Sequence, residues 1–456
     1  MRRAFALLIA VALTVGVLTP LPPEAEPAAV PGGFVFAAAG DYSFGGNLQP
    51  SLDKLAAVNI DFLLGLGDLS YGSTTEQNFC QTVKGVVNDF AIIAGNHDTG
   101  ESGGGNINNY VQYCPYTLAG ALTGTYGKEY WFDYPSPGPL ARFIMISPGV
   151  VYNVDGTGRW DYNVGNARYN FVRDTIDGAR TAGIPWVIVG MHKNCITTGS
   201  KGCEIGTDLF NLLLEKKVDL VMEGHDHNVQ RSKQLYCPAI TVNGYDPGCV
   251  VDDGADDFYT KGEGLELVIA GSMGQCCYGV NPADSEAGYF AKIDGNTRGF
   301  YQFTVLPDHI EAQFFNTTGT FTDLFTIGGT PTPRPLSASL TVSPANPRTG
   351  STATFTAAAS GGETPYAFSW AFGDATTGAG SPATHAYAAA GTYTVTLTVS
   401  DGALSASDTA VVTVTPPPST SYAQRLNAGA DPFGKLSRGY RIAQALFLPP
   451  VLFFLR

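Results

Sequence analysis

The chain reads as two successive architectures: an α/β two-sheet sandwich with outer helices over residues 32–327, then a small all-β sandwich over residues 337–416. Three observations carry that reading. Up to about Ile327, short apolar runs alternate with stretches of helical period, the mark of strands buried on both faces and covered by helices. Gly328, Gly329, Pro331, Pro333 and Pro335 then interrupt the pattern as a semi-rigid linker, residues 328–336. Beyond it Thr, Val, Ala and Ser take over in period-two alternation, as in Tyr393, Val395, Leu397 and Val399, with no helical period.

Taken in order, Arg2 and Arg3 precede an apolar run over residues 4–18 and a Pro-rich stretch over 20–31, so residues 1–31 read as an export signal with its exit segment. A retained membrane anchor is the alternative, although the run falls short of the roughly 20 residues a span needs. Runs of strand length at 34–39, 62–66, 91–94, 186–189 and 218–222 each lead into Gly and a polar residue. Leu52, Leu55 and Ala56, then Ala167, Phe171 and Ile176, then Leu209, Leu212 and Leu213 recur at helical spacing. Residues 130–134, 142–146 and 300–315 alternate apolar and polar side chains, which predicts antiparallel strands flanking the central layers. Residues 417–456 have no clear period and stay unassigned; their apolar end is interrupted by Pro449 and Pro450.

A length of 456 residues suggests two or three units, and 44% hydrophobic with 14% charged residues is the balance of a folded chain. The formal net charge of -14 repels polyanions, so no nucleic acid polymer is expected as a partner. A small phosphorylated substrate stays open, because bound metal ions reverse the field locally. Eight cysteines lie between the export signal and the linker, and export favours disulfides over free thiols. Cys80 with Cys114, Cys195 with Cys203, and Cys237 with Cys249 would close local loops, but sequence cannot choose among the connectivities. A cysteine zinc site is disfavoured, since no CxxC pair is present.

Open α/β sheets place their sites just beyond strand carboxyl ends. Five apolar runs end in candidates: Gly40-Asp41, Gly67-Asp68-Leu69-Ser70-Tyr71, Gly95-Asn96-His97-Asp98, Gly190-Met191-His192 and Gly224-His225-Asp226-His227. Glycine before each group predicts a sharp backbone turn that presents the next side chain at the sheet edge. Carboxylate, amide oxygen and imidazole suit hard or borderline metal ions. Four of the six histidines fall at these strand ends, leaving only His309 and His385 elsewhere. Two ions about 3.5 to 4 Å apart can share a hydroxide and neutralise phosphoryl oxygens during in-line displacement.

The ordered set resembles the calcineurin-like metallophosphoesterases over about residues 34–320, and Gly67-Asp68-Leu69-Ser70-Tyr71 makes it most similar to their purple acid phosphatase branch. The resemblance implies Asp41, Tyr71 and His227 on one metal, Asn96, His192 and His225 on the other, and Asp68 bridging. It implies His97 as an outer-sphere acid assisting the leaving group while a metal-bridging hydroxide attacks phosphorus. The first motif departs from that branch, reading Gly40-Asp41-Tyr42-Ser43 where the branch has Gly-Asp-x-Gly. A phenolate at Tyr71 favours Fe(III), with Fe, Zn or Mn at the second position; if Tyr71 only packs at the strand end, two divalent ions suit the site. His97 has a second reading, in which it orients the loop through a neighbouring carboxylate. The Gly-rich stretch from Thr99 to Asn109 reads as a mobile surface loop or a substrate lid, and Lys193 as a phosphate ligand or a solvated lysine.

In the C-terminal unit, Trp370-Ala371-Phe372-Gly373-Asp374, His385-Ala386-Tyr387 and Leu397-Thr398-Val399-Ser400-Asp401-Gly402 resemble a PKD domain, an immunoglobulin-like sandwich. The resemblance implies attachment to polysaccharide or protein, without chemistry of its own. The expectation is therefore a protein secreted or held at the cell surface that acts on phosphomonoesters. Phosphodiester hydrolysis on nucleotides or phospholipid head groups is the alternative, and a non-catalytic surface binding protein with a structural metal site the remote one.

Overall fold

A computed structural model describes residues 32–330, 336–362, 365–402 and 404–417. The export signal over 1–31, most of the linker and residues 418–456 lie outside the described residues. The chain divides into two compact units between Pro331 and Thr332. Among the described residues no helix is long and apolar enough to cross a membrane.

The first unit is a sandwich of two sheets. Five strands end at the candidate motifs: β1 (Phe34–Ala39), β2 (Phe62–Gly65), β3 (Phe90–Ile92), β4 (Trp186–Gly190) and β5 (Leu220–Glu223). In one sheet β1, β2 and β3 run parallel, and Gly299–Val305 pairs antiparallel with β1, followed outward by His309–Asn316, Leu324–Gly328 and Phe258–Tyr259. In the other, β4 and β5 run parallel between Ala141–Met145 and Glu266–Ala270, both also parallel to them. Glu129–Tyr134 and Leu122–Thr125 extend one edge and Val229–Ser232 and Phe290–Asp294 the other, all antiparallel.

The central strands read as unbroken apolar runs because both their faces are covered. Along β1, Phe34, Phe36 and Ala38 point into an aromatic layer with Phe62, Phe143 and Phe303, while Ala37 and Ala39 join the layer beneath the helices. The same alternation puts Trp186 and Ile188 of β4 inward and Val187 and Val189 outward. The outer layer is filled by α1 (Gln49–Ala56), α2 (Glu76–Lys84), α3 (Ile107–Tyr113), α4 (Ala167–Thr181) and α5 (Thr207–Glu215). α1, α4 and α5 lie where helical spacing predicts them, but Ala56 and Ala167 are exposed and α4 buries Val172, Thr175, Ile176 and Ala179. The sequence expectation does not include α2, which buries Phe79, Cys80 and Val83, or α3, which buries only Ile107 and Tyr110; Thr75 caps α2 by accepting from the backbone of Asn78, and the Cys80–Cys114 disulfide ties the pair together.

The second unit is the expected all-β sandwich. Ser337–Ser343, Thr352–Ser360 and Ala383–Ala386 form one sheet, and Thr377–Ala379, Ala367–Ala371, Gly391–Ser400 and Ser405–Val414 the other. Trp370 and Phe372 are core residues, packed with Phe355, Tyr387 and Leu397.

Candidate metal centre

Because β1, β2 and β3 are parallel, as are β4 and β5, the segments that follow them gather at one end of the sandwich. The loops are stitched there by backbone bonds: Asp41 N–H donates to Gly67 O at 3.0 Å, and Gly224 N–H to His192 O at 3.0 Å. The turn is made differently from the sequence expectation. Of the five glycines that precede the motifs only Gly67 has a positive φ; the left-handed backbone falls instead on the polar residues, Asp41 (φ 60), Asp68 (φ 54), Tyr71 (φ 54) and His225 (φ 68). Such strain persists where the surroundings over-determine it, as at functional sites. The glycines supply room: a Cβ on Gly67 would stand 2.6 Å from Gly95 N, and one on Gly95 would overlap the Asp68 carboxylate. Ser43, where the resemblance expects glycine, also sits at positive φ (51), a conformation that glycine adopts without steric cost.

Two donor clusters result. In the first, Tyr71 Oη lies 2.6 Å from Asp41 Oδ1 and 2.9 Å from His227 Nε2, and His227 Nε2 lies 3.2 Å from Asp41 Oδ1. In the second, His192 Nε2 lies 3.1 Å from Asn96 Oδ1 and 3.3 Å from Asp68 Oδ1, and Asp68, His192 and His225 offer donor atoms all within 4.8 Å of one another. Burial and then the charges of Asp41 and Asp68 raise the Tyr71 phenol, so the Asp68 carboxylate stands near both clusters. Donors about 2.0 to 2.2 Å from a common ion stand roughly 3 Å apart, which is the spacing here.

The ring nitrogens are oriented as well. His192 Nδ1 lies 2.8 Å from Leu66 O, and a carbonyl only accepts, so Nδ1 carries the hydrogen and Nε2 is left for an ion. At His225 the Glu204 carboxylate takes Nε2 at 2.9 Å, which leaves Nδ1. Electrostatics points the same way. Burial disfavours an imidazolium at His192, yet the adjacent Asp68 carboxylate outweighs it and pushes the group up to about 9. Burial lifts Asp68 too, but His192 and then His97 hold it below the ordinary carboxylate range. So dense a set of acids draws positive charge to the point where the donors meet. His97 lies at the rim: its N–H donates to Asp68 Oδ1 at 2.8 Å, its Nε2 is 4.0 Å from Asp68 Oδ2, and its side chain is 29% exposed. The donor set thus fits a pair of metal ions.

A family model described as calcineurin-like phosphoesterase matches residues 44–229, which hold every candidate ligand except Asp41, three residues before its start. Residues 44–229 form a calcineurin-like phosphoesterase domain. A PKD-domain model matches residues 337–416. Uncharacterized proteins of two Mycobacterium tuberculosis strains are 24% identical over 206 residues, 42% of this chain and 38% of theirs. The chain therefore spans 38% of the length of the curated relatives it matches. Among solved structures, a purple acid phosphatase from yellow lupin (Lupinus luteus) seeds is 17% identical with a TM-score of 0.47, over 65% of this chain and 54% of that one. A structure of PhoD is 13% identical with a TM-score of 0.42, over 67% and 71%.

Around its ligand candidates the phosphoesterase domain adds residues to which sequence reasoning gave no role. Asp98 is buried and accepts from the backbone N–H of Asp68 at 2.7 Å, Leu69 at 3.0 Å and Gly95 at 2.9 Å, tying the segments after β2 and β3 together. Burial and then the charge of Asp68 raise it to about 7, against those donors. Asp226, between the two last histidines, accepts from Thr197 Oγ1 at 2.6 Å and Ser200 N–H at 3.2 Å. Both aspartates stand inside the quoted motifs, so position was the available signal; Glu204 has no local signal at all. Burial, then His192 and Lys201 among the charges, hold His225 below the ordinary imidazole range against the pull of Glu204.

Two expectations are corrected. Lys193 is neither a phosphate ligand nor solvated: it is buried, with Nζ 2.8 Å from Glu101 and 3.0 Å from Glu204. The stretch from Thr99 to Asn109 is pinned to the site, with Ser102 N–H donating to Asn96 O at 3.2 Å and Gly105 N–H to His97 O at 2.7 Å, and its last residues begin α3. Asn96 Nδ2 donates to Ser102 Oγ at 2.9 Å, which turns Asn96 Oδ1 toward His192. The cysteines pair as Cys80–Cys114, Cys195–Cys203 and Cys237–Cys249, and Cys276 pairs with its neighbour Cys277.

Proposed function

We propose that the chain is a secreted or cell-surface phosphoesterase with two metal ions, foremost a phosphomonoesterase of the purple acid phosphatase type. The observation that carries this is the pair of donor clusters, Asp41, Tyr71 and His227 beside Asn96, His192 and His225, with Asp68 near both. Ions held there supply Lewis acidity toward phosphoryl oxygens and water acidic enough to ionise near neutral pH. Asp68 anchors both clusters through one buried carboxylate. His97, partly exposed beside it, delivers a proton to the departing oxygen, a contribution of about 10²- to 10⁴-fold. Four disulfides and the PKD domain support an extracellular setting, and the PKD domain supports contact with polysaccharide or protein.

Tyr71 supports Fe(III) in the first cluster: its oxygen lies 2.6 Å from a carboxylate and 2.9 Å from an imidazole, and because burial and Asp41 raise the phenol, only a strongly Lewis-acidic ion would take it as the phenolate. Purified protein is expected to show a visible charge-transfer band that Tyr71→Phe abolishes; a colourless, iron-free and fully active enzyme would contradict it. Comparing kcat/KM on a panel of phosphate mono- and diesters tests substrate class. Higher values on the monoesters are expected, and higher values on the diesters would overturn that preference.

A further inference from the structure

Two loops that supply no ligand candidate meet beside the first donor cluster. One, closed by the Cys195–Cys203 disulfide, carries Lys201; the other carries Tyr278 directly after the Cys276–Cys277 disulfide. Tyr278 lies flat on His227, with ring centroids 4.0 Å apart and planes inclined by 16°, and its backbone N–H donates to His227 O at 2.9 Å. Lys201 Nζ stands 5.4 Å from the centre of the Tyr278 ring. Lys201 is half-buried, and among the described residues no carboxylate pairs with it. Lys193, by contrast, is consumed by Glu101 and Glu204.

The backbone that carries Lys201 is anchored by its loop. Thr197 and Ser200 both hydrogen-bond Asp226, the residue between His225 and His227. Thr198 N–H donates to Gln230 Oε1 at 2.9 Å, and Thr198 O accepts from Asn281 N–H at 2.8 Å, which joins the Lys201 loop to the segment that follows Tyr278. An unneutralised ammonium so held, in a chain of net charge -14, is a site for an anion.

We propose that Lys201, backed by the Tyr278 ring, binds a non-bridging phosphoryl oxygen of the substrate and selects the dianionic phosphate of a monoester over the monoanionic phosphate of a diester. This deepens the phosphoesterase reading and rests on it. A fixed cation gains more from two negative charges than from one, and a charge-assisted hydrogen bond is roughly twice as strong as a neutral one.

The test uses the full chain loaded with metal, and reads inorganic phosphate affinity by calorimetry together with KM and kcat for 4-nitrophenyl phosphate and bis(4-nitrophenyl) phosphate. With metal content unchanged, Lys201→Ala and Lys201→Gln are expected to weaken phosphate binding and raise the monoester KM by about tenfold. The monoester kcat and the diester KM should move by less than about threefold, and Lys201→Arg should restore phosphate binding. Phosphate affinity equal to wild type in both neutral variants would overturn the proposal, and an equal rise in diester KM would overturn the selectivity. If the metal-loaded wild type hydrolyses neither ester, the phosphoesterase reading fails by itself, while the phosphate affinities still decide whether Lys201 holds the anion.

Discussion

Tyr71 and His97 face each other at the rim, their ring centroids 4.3 Å apart and tilted by 40°, yet chemistry asks different things of them. Tyr71 is held by Asp41 and His227, whereas His97 has a partly exposed ring whose Nε2 is 4.0 Å from Asp68 Oδ2. His97→Ala should therefore retain its metal and lose about 10²- to 10⁴-fold of its turnover on an alkyl phosphate, whose leaving oxygen needs that proton. An alkyl rate equal to wild type would leave His97 only its loop-orienting role. The ligand candidates were legible because each follows an apolar run, where a polar side chain has no place in a core. Glu204 and Lys201 were not, since they sit on a loop without period and act on His225 and Tyr278 across distances the sequence does not display.

At the scale of elements, the parallel strands announced themselves by length and uniform apolarity, while α2 and α3 did not. α3 buries only Ile107 and Tyr110, so little period shows there, and the Cys80–Cys114 disulfide ties it to α2, whose Phe79, Cys80 and Val83 form its buried face. Closing 34 residues of chain by a disulfide stabilises by about 3 to 4 kcal/mol in the loop-entropy picture. A Cys80→Ser, Cys114→Ser double variant should lower the unfolding free energy read from denaturant titration by that amount, and with it the midpoint. It should also lower metal retention, because α3 opens where the loop that clasps Asn96 ends. An unchanged midpoint would show that the short helices hold without the link.

For the molecule as a whole, the two-part plan was readable from a change of period, four disulfides replace thiols, and a net charge of -14 surrounds one cationic demand at the metal centre. Stability carries its own pH signature, distant from that centre in chemistry. Glu266 is fully buried in the middle of the second sheet, and neither of its carboxyl oxygens has a hydrogen-bond partner among the described residues. Burial raises it well above the usual carboxylate range, with Arg231 only partly offsetting this. The folded state therefore keeps a proton that the unfolded chain releases above about pH 4.3, so stability is full below that value and falls as pH rises toward the folded pKa. Relative to Glu266→Gln, the wild type should lose stability between pH 5 and 8 by up to about 1 kcal/mol per pH unit. Parallel pH profiles would contradict this.

The central claim is that the seven residues Asp41, Asp68, Tyr71, Asn96, His192, His225 and His227 hold two ions that the hydrolysis of a phosphoester requires. The most direct measurement is phosphate release by the full chain after chelation and stepwise return of metal. The expected result is no turnover in the chelated protein and recovery that saturates at about two equivalents per chain. Turnover untouched by chelation, or a protein with two bound ions per chain that hydrolyses neither a mono- nor a diester, would contradict it.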